Sequence, residues 1–204
     1  MMKKKVMMDK KKPMEFSKEQ RRIIFQGHIE KEEIMLNGPK MAEGYAYFGF
    51  GRRSVSPDNK LLSYGIDTIS RRQYTIYFKN LESGELLADK LENTTGGTTW
   101  ANDNKTIFYT KKDQVTLRAH QIYKHKLGDN QDDLLFEEGD TTFGVTVYKT
   151  KSRRYIIIAC YSTLTNEFYI LNADTPDANF KIFQSKKSVL TFPNHITYFL
   201  EQSR

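Results

Sequence analysis

The chain has 204 residues, of which 38% are apolar and 13% aromatic, so it is long and apolar enough to fold around a sizeable core. Its net charge of +7 is concentrated in residues 1–22, where nine Lys or Arg side chains accompany three carboxylates, while the rest of the chain carries only +1. A nucleic-acid reader spreads its basic charge over the whole fold. We therefore interpret this leader as a solvated basic tail and expect no nucleic-acid partner.

Cys160 is the only cysteine, which excludes an intrachain disulfide and a thiolate metal cluster. It lies in the apolar run 156–161, where a small buried thiol is the usual outcome. No segment approaches the ~18 consecutive apolar residues of a membrane span, and the Lys-rich start lacks the apolar stretch of a secretory signal. The sequence thus predicts a cytoplasmic protein without a membrane partner.

Residues 1–31 form a basic leader that we expect to be poorly ordered or to contain one short helix. The helix is predicted at residues 17–24, with Ser17 as N-cap and Gln20 as its capping-box partner. Strand signals begin at residues 32–37, and Asn37, Gly38 and Pro39 have the chemistry of a turn.

One unit then occurs three times, each time as a turn followed by runs of β-formers. Asn59, Asn104 and Arg153 occupy equivalent turn positions at spacings of 45 and 49 residues, the length of a four-stranded propeller blade. The blades are predicted at about 52–89, 97–138 and 143–184. Their predicted strands are 53–56, 61–67, 73–81 and 86–89; 98–101, 106–111, 120–127 and 134–137; and 144–149, 155–162, 167–172 and 180–184.

The fold class predicted from these repeats is all-β: an incomplete β-propeller of about three four-stranded antiparallel blades, with a flexible or partly helical N-terminal leader. Three blades cannot close a ring, so the first and last blades should each expose an apolar sheet face and favour self-association. The tail, residues 185–204, diverges from the repeat, and residues 190–200 would form at best one extra edge strand.

No residue pattern predicts catalytic, cofactor-binding or metal-binding side chains. The nucleophile elbow Gly-x-Ser-x-Gly is absent from the sequence. His120 and His125 are five residues apart, on opposite faces of a strand, which is a poor start for a shared metal. We expect structural roles for the four histidines, His28, His120, His125 and His195. We expect solvated turn positions for two acidic clusters, one of Asp129, Asp132 and Asp133 and the other of Glu137, Glu138 and Asp140.

Arginines occur as three adjacent pairs, at 52–53, 71–72 and 153–154. They could form a cationic channel mouth that screens peptides. Basic pairs beside apolar strands also act as charged guards against edge-to-edge aggregation. We favour the second interpretation.

Several short sequence segments, taken in their order along the chain, resemble segments of oligopeptidase B, also called protease II, of the prolyl oligopeptidase family. The resemblance runs from about Glu32 to Gln184 and is strongest at residues 43–48, 54–68, 71–85, 100–103 and 125–128. It implies a propeller that lies over an α/β-hydrolase domain and admits short peptides, which that domain cuts after Lys or Arg. Residues before 32 and after 184 do not look like the family.

The resemblance implies that the chain is a truncated propeller of an oligopeptidase B-like serine endopeptidase, inactive alone and without a cofactor. Its partners would be a catalytic domain or other copies of itself, and short peptides in the intact family. The alternatives are a stand-alone protein-interaction module and a non-functional gene remnant.

Overall fold

The computed structural model describes residues 4–7 and 33–187. The chain divides into two compact units, residues 1–47 and 48–204, so the boundary differs from the 31/32 boundary in our sequence interpretation. The predicted helix at 17–24 and the predicted edge strand at 190–200 lie outside the described residues. In the part of the chain that is described, no helix is long and apolar enough to cross a membrane.

The first unit contains a small parallel strand pair. Strand β1 (Lys4–Met7) pairs with β2 (Glu33–Asn37), so part of the leader that we expected to be poorly ordered forms a strand. The turn predicted at Asn37 is the start of a one-turn helix, α1 (Gly38–Met41). Asn37 caps this helix because its side-chain oxygen accepts a hydrogen bond from the Lys40 backbone N–H at 3.2 Å.

The second unit consists of antiparallel strands in two sheets. The larger sheet has the order β3-β4-β5-β6-β7-β8-β9, and the smaller has the order β10-β11-β12-β13. Their bounds are β3 (Gly49–Val55), β4 (Leu61–Asp67), β5 (Tyr74–Asn80), β6 (Leu86–Trp100), β7 (Thr106–Lys112), β8 (Ala119–Lys126), β9 (Asp133–Glu137), β10 (Gly144–Lys149), β11 (Tyr155–Tyr161), β12 (Asn166–Asn172) and β13 (Lys181–Lys187).

The predicted blades are confirmed in type and order, with one difference at their first junction. The outer strand of the first blade and the inner strand of the second, predicted as separate, are the two halves of β6. Residues up to Thr94 pair with β5, and Thr94 and residues 98–100 pair with β7. Asn93 and Gly96 have positive φ angles of 57° and 85°, which bend the backbone without ending the strand.

The turn between the first and second strands has the same conformation in all three blades. Asn59, Asn104 and Arg153 have φ angles of 63°, 63° and 62°, so the alignment of the repeats is reproduced in the backbone. In each blade the residue that opens the turn donates its N–H to the residue that closes it, at 2.9 Å: Ser56 to Leu61, Ala101 to Thr106 and Thr150 to Tyr155.

Arg153 is the exception among these three turn residues, because asparagine adopts the left-handed region more readily than arginine does. We expect Arg153→Asn to raise the free energy of unfolding by about 1 kcal/mol. Urea unfolding of the full chain measures the change. The neighbouring variant Arg154→Asn is the control and should give no gain, and equal stabilities of the two variants would contradict the explanation.

Apolar side chains fill the two interfaces between blades. Ile76, Phe78, Trp100, Ile107 and Tyr109 form the core between the first and second blades. Between the second and third blades the core comprises Ala101, Phe108, Ile122, Phe143, Val145, Val147, Ile156, Ile158, Cys160, Leu171 and Ala173. Cys160 is fully buried there, as the apolar run around it predicts.

Some apolar side chains on the outer faces of the first and last blades are buried, where the sequence predicts exposure. Leu62 on the first blade is buried, and so are Ile157 and Phe168 on the last. On the last blade, these side chains pack with partly buried neighbours that include Tyr148. Burial raises the pKa of the Tyr148 hydroxyl, which has no hydrogen-bond partner among the described residues. The predicted exposed face is therefore wrong for these positions.

Candidate functional site: the inner wall of the blades

The first strands of the three blades lie side by side and form a surface that we call the inner wall. It consists of β3, residues 97–100 of β6, and β10. The Trp100 indole N–H donates to the Ser54 carbonyl at 3.3 Å, and the Thr99 hydroxyl donates to the Val147 carbonyl at 3.1 Å. Because the first strands of propeller blades surround a central channel, this wall is the surface that a molecule in the channel would meet.

Three glycines allow β3, β4 and β6 to approach closely behind this wall. A Cβ added at Gly51 or Gly65 would lie 2.7 or 2.6 Å from the Gly96 carbonyl oxygen. A Cβ added at Gly96 would lie 2.6 Å from the Tyr74 ring. The close approach lets the Ser63 hydroxyl hydrogen-bond that of Thr98 at 2.5 Å.

Two shallow pockets of about 230 and 260 Å³ open on the inner wall. Arg52 and Val147 line both pockets, and Lys149 and Arg153 line the larger one. None of the described residues that line either pocket is acidic. Burial and the nearby Arg153 guanidinium lower the pKa of Lys149. The wall therefore presents positive charge without carboxylates of its own.

Polar contacts also tie the turns of neighbouring blades into a row. The Asp58 backbone N–H donates to the Asn104 side-chain oxygen at 2.9 Å, across the first and second blades. The Asn102 amide donates to the Arg153 carbonyl at 3.1 Å and to the Asp174 carboxylate at 2.6 Å, across the second and third. Sequence reasoning identified these positions only as turn residues, although their recurrence with the repeat was the available signal.

The arginine pairs occupy three different settings. Arg52 and Arg53 lie within β3, and Arg53 stacks over the Phe50 ring at 5.8 Å. Arg71 and Arg72 are exposed in the β4–β5 loop. The third pair, residues 153–154, directly precedes β11. Arg52 lines both pockets and Arg153 lines the larger one, and the choice between the channel-mouth and guard interpretations stays a prediction for all three pairs.

The histidines and the members of the two acidic clusters occupy different settings, and two of the acidic residues are not in the solvated positions that we expected. His28 and His195 lie outside the described residues. His120 is half-buried and lies 4.0 Å from the Glu137 carboxylate, whereas His125 is buried among other side chains. Within the described part of the chain, no group of three or more His, Cys, Asp or Glu residues is arranged to hold a metal ion.

The two exceptions are Asp132 and Glu138, which we expected to be solvated turn residues. The Asp132 carboxylate accepts hydrogen bonds from Tyr109 and His125. Glu138 is buried, and its carboxylate accepts the Asp140 backbone N–H at 2.9 Å. The Asp132 contacts could not be inferred from spacing, because they depend on how the β8–β9 connection folds back on its blade.

Comparison with known proteins agrees with this architecture. Residues 2–198 match the family model described as the prolyl oligopeptidase N-terminal beta-propeller domain. Dipeptidyl aminopeptidase BI of Pseudoxanthomonas mexicana is 38% identical over 152 residues, which cover 74% of this chain and 21% of that protein. Protease 2 of Moraxella lacunata is 30% identical over 165 residues, covering 79% of this chain and 24% of that protein.

Solved structures give the same result. Oligopeptidase B from Leishmania major superimposes with a TM-score of 0.72 at 26% identity, over 76% of this chain and 22% of that one. The protein is thus a β-propeller of antiparallel blades, of the class found as domains of peptidases. It belongs to the prolyl oligopeptidase family and corresponds to the family's N-terminal propeller domain.

The matched range corrects one expectation and supplies one fact about length. The family model extends from residue 2 to residue 198, beyond the range 32–184 to which the recognisable segments are confined. A family model uses the residue preferences at every position, whereas recognition by eye depends on short segments with many identical residues. The chain spans between a fifth and a quarter of the length of these relatives.

Proposed function

We propose that this chain acts as the propeller that covers a peptidase catalytic domain and admits only short peptides to it. The observation that carries the proposal is the match of residues 2–198 to the propeller domain of a peptidase family. In that family the propeller is paired with a catalytic domain. The three blades would contribute a steric filter, because a folded protein cannot pass a wall of packed sheets.

The composition of the inner wall supports a division of labour. Arg52, Lys149 and Arg153 line its pockets without an acidic neighbour in the lining. Such a surface offers no partner for a basic peptide side chain, since ammonium and guanidinium groups bind carboxylates. Cleavage after Lys or Arg, as in oligopeptidase B, would then be selected by the catalytic domain, and the propeller would select by size.

The chain itself would not cleave peptides. A serine peptidase needs a nucleophile on an exposed elbow beside a histidine and an oxyanion hole. The sequence lacks this elbow, and both ring nitrogens of the buried His125 already face carboxylates. Cys160 is buried between blades and cannot reach a substrate.

The proposal is tested by adding the purified chain to the catalytic domain of an oligopeptidase B expressed without its own propeller. In sedimentation velocity the mixture should move faster than either component. Cleavage of an unfolded long polypeptide should fall relative to cleavage of a fluorogenic dibasic peptide. The chain alone should not turn over the dibasic peptide.

Turnover by the chain alone that a serine-directed inhibitor abolishes would refute the non-catalytic role. Absence of both a complex and a change in substrate ratio would refute the filter. The Gly65→Ala variant, in which the packing of the first two blades should be broken, is the matched control for nonspecific inhibition.

Two finer parts of the proposal are a cytoplasmic location and self-association. The single buried thiol suits a reducing compartment. Ile182 and Phe183 on β13 are exposed and offer an apolar contact for a second copy. The sedimentation of the chain alone reports on this contact: a concentration-dependent increase supports self-association, and a monomer at all concentrations contradicts it.

A further inference from the structure

His125 lies between two carboxylates that come from different parts of the fold. Its Nε2 is 2.9 Å from Oδ1 of Asp89, on the first-blade half of β6. Its Nδ1 is 2.6 Å from Oδ1 of Asp132, in the connection between β8 and β9 of the second blade. The side chains of His125, Asp89 and Asp132 are only 5%, 9% and 23% exposed.

This geometry determines the protonation state of the imidazole. A carboxylate oxygen can only accept a hydrogen bond, so a ring nitrogen that contacts it must carry a proton. Neutral histidine has one N–H, and the second contact would then set a lone pair against a carboxylate. Both contacts are satisfied together only in the imidazolium form.

Both carboxylates accept hydrogen bonds from further donors. The Tyr109 hydroxyl donates to Oδ2 of Asp132 at 2.5 Å, and the Gly128 backbone N–H donates to Oδ1 of Asp89 at 2.7 Å. Burial opposes the charge on Asp132, but the hydrogen bonds from His125 and Tyr109 outweigh it and lower the pKa of this carboxyl. Burial likewise opposes the charge on His125, and the two carboxylates outweigh it and raise the pKa of the imidazole.

The other charged groups near the cluster do not replace the imidazolium. Lys90 pairs with Glu92 at 2.6 Å, and Lys111 lies over the Tyr123 ring at 4.4 Å while exerting a charge effect on Asp132. Phe78 of β5 stacks on the imidazole at 6.3 Å and brings no charge. A pocket of about 310 Å³ lies beside the cluster. The titratable groups around His125 and this pocket come from three elements: Asp89 and Lys90 from β6, Tyr109 and Lys111 from β7, and Asp129 and Asp132 from the β8–β9 connection.

We infer that protonated His125 is a charge bridge that holds the outer strand of the first blade against the second blade, and that loss of its proton loosens this junction. Deprotonation leaves two buried carboxylates that repel each other across the former bridge. The pocket beside the cluster gives water and hydroxide access to it. Alkaline pH therefore acts on the junction between these two blades.

The direction with pH follows from linkage. The pKa of His125 is higher in the fold than the ordinary value of 6.5, so the stabilisation is complete below pH 6.5. It is lost as the pH rises through the pKa in the fold. Each unit by which that pKa exceeds 6.5 contributes about tenfold to the folding equilibrium constant.

The test is urea unfolding of the full chain at a series of pH values, followed by fluorescence of Trp100, the single tryptophan, which lies in the core between these blades. For the native chain and for the control His120→Gln, the urea midpoint should be level from about pH 5 to pH 6.5 and fall above it. His125→Gln should have a lower midpoint near pH 6 and lose the decline between about pH 6.5 and pH 9, a range below the ordinary pKa of tyrosine. A decline of equal size over this range in His125→Gln would overturn the inference.

Nitrogen-15 NMR of the imidazoles in the native chain provides a measurement that needs no variant. His125 should carry protons on both ring nitrogens at pH 6 and titrate above pH 6.5. A His125 that titrates at or below pH 6.5, or that is a single neutral tautomer at pH 6, would overturn the charge bridge even if His125→Gln does not fold.

Discussion

Replacing Gly65 by alanine is expected to lower the free energy of unfolding by about 3 kcal/mol, near the upper end for overpacking. The new Cβ would lie 2.6 Å from the carbonyl oxygen of Gly96 and 2.7 Å from its Cα, and both are backbone atoms. Gly96 cannot retreat easily, because its φ is +85° and the Tyr74 ring lies against its other side. The clash therefore separates β4 from β6.

Urea unfolding of the full chain measures this loss, with Gly139→Ala as the matched control. No atom lies within 4 Å of the position that a Cβ at Gly139 would take, and its φ is not in the left-handed region. The control should change stability by less than about 0.5 kcal/mol. Equal midpoints for the two variants would show that the backbones can separate without cost.

Replacing Phe108 by alanine is expected to cost about 4 kcal/mol, because the cavity adds to the lost burial. Phe108 is completely buried between the second and third blades, and its ring packs edge-on against that of Phe180 at 5.8 Å. The cavity would lie at the junction of the two sheets, which no pairing between the described strands bridges. Packing here holds the third blade in place.

Calorimetric or urea unfolding of Phe108→Ala checks the magnitude, and Val115→Ala serves as the control. Val115 is 84% exposed, so its truncation should have little effect. Phe108→Leu should lie between the native chain and the alanine variant, because leucine fills more of the cavity. A loss below about 1 kcal/mol in Phe108→Ala would mean that the third blade is held by other contacts.

The sequence was sufficient for the features that depend on local pattern. The strand predicted at 155–162 is observed as β11 (Tyr155–Tyr161), since a run of β-branched residues between two turns has few alternatives. The three turns could be aligned because each needs a residue in the left-handed region at one fixed offset. The buried thiol of Cys160 followed from its apolar neighbours in the same way.

Features that depend on distant partners could not be predicted. Separate strands are predicted at 86–89 and 98–101, but pairing with β5 on one side and β7 on the other continues one strand through the residues between them, Asn93 and Gly96 included. Asp89 and His125 are 36 residues apart and meet only because the blades stack. The burial of the outer faces is likewise a tertiary result that strand periodicity does not contain.

The continuity of β6 has a consequence for how such repeats are gained and lost. A duplication or deletion of one repeat is tolerated where the chain can be cut in a connection that lies outside the strands, as at residues 138–143 between β9 and β10. Between the first two repeats a single strand, β6, pairs with β5 up to Thr94 and with β7 at Thr94 and from Thr98, and a cut there would leave open hydrogen bonds on both neighbours. In evolution these two repeats should therefore be inherited as a single indivisible module.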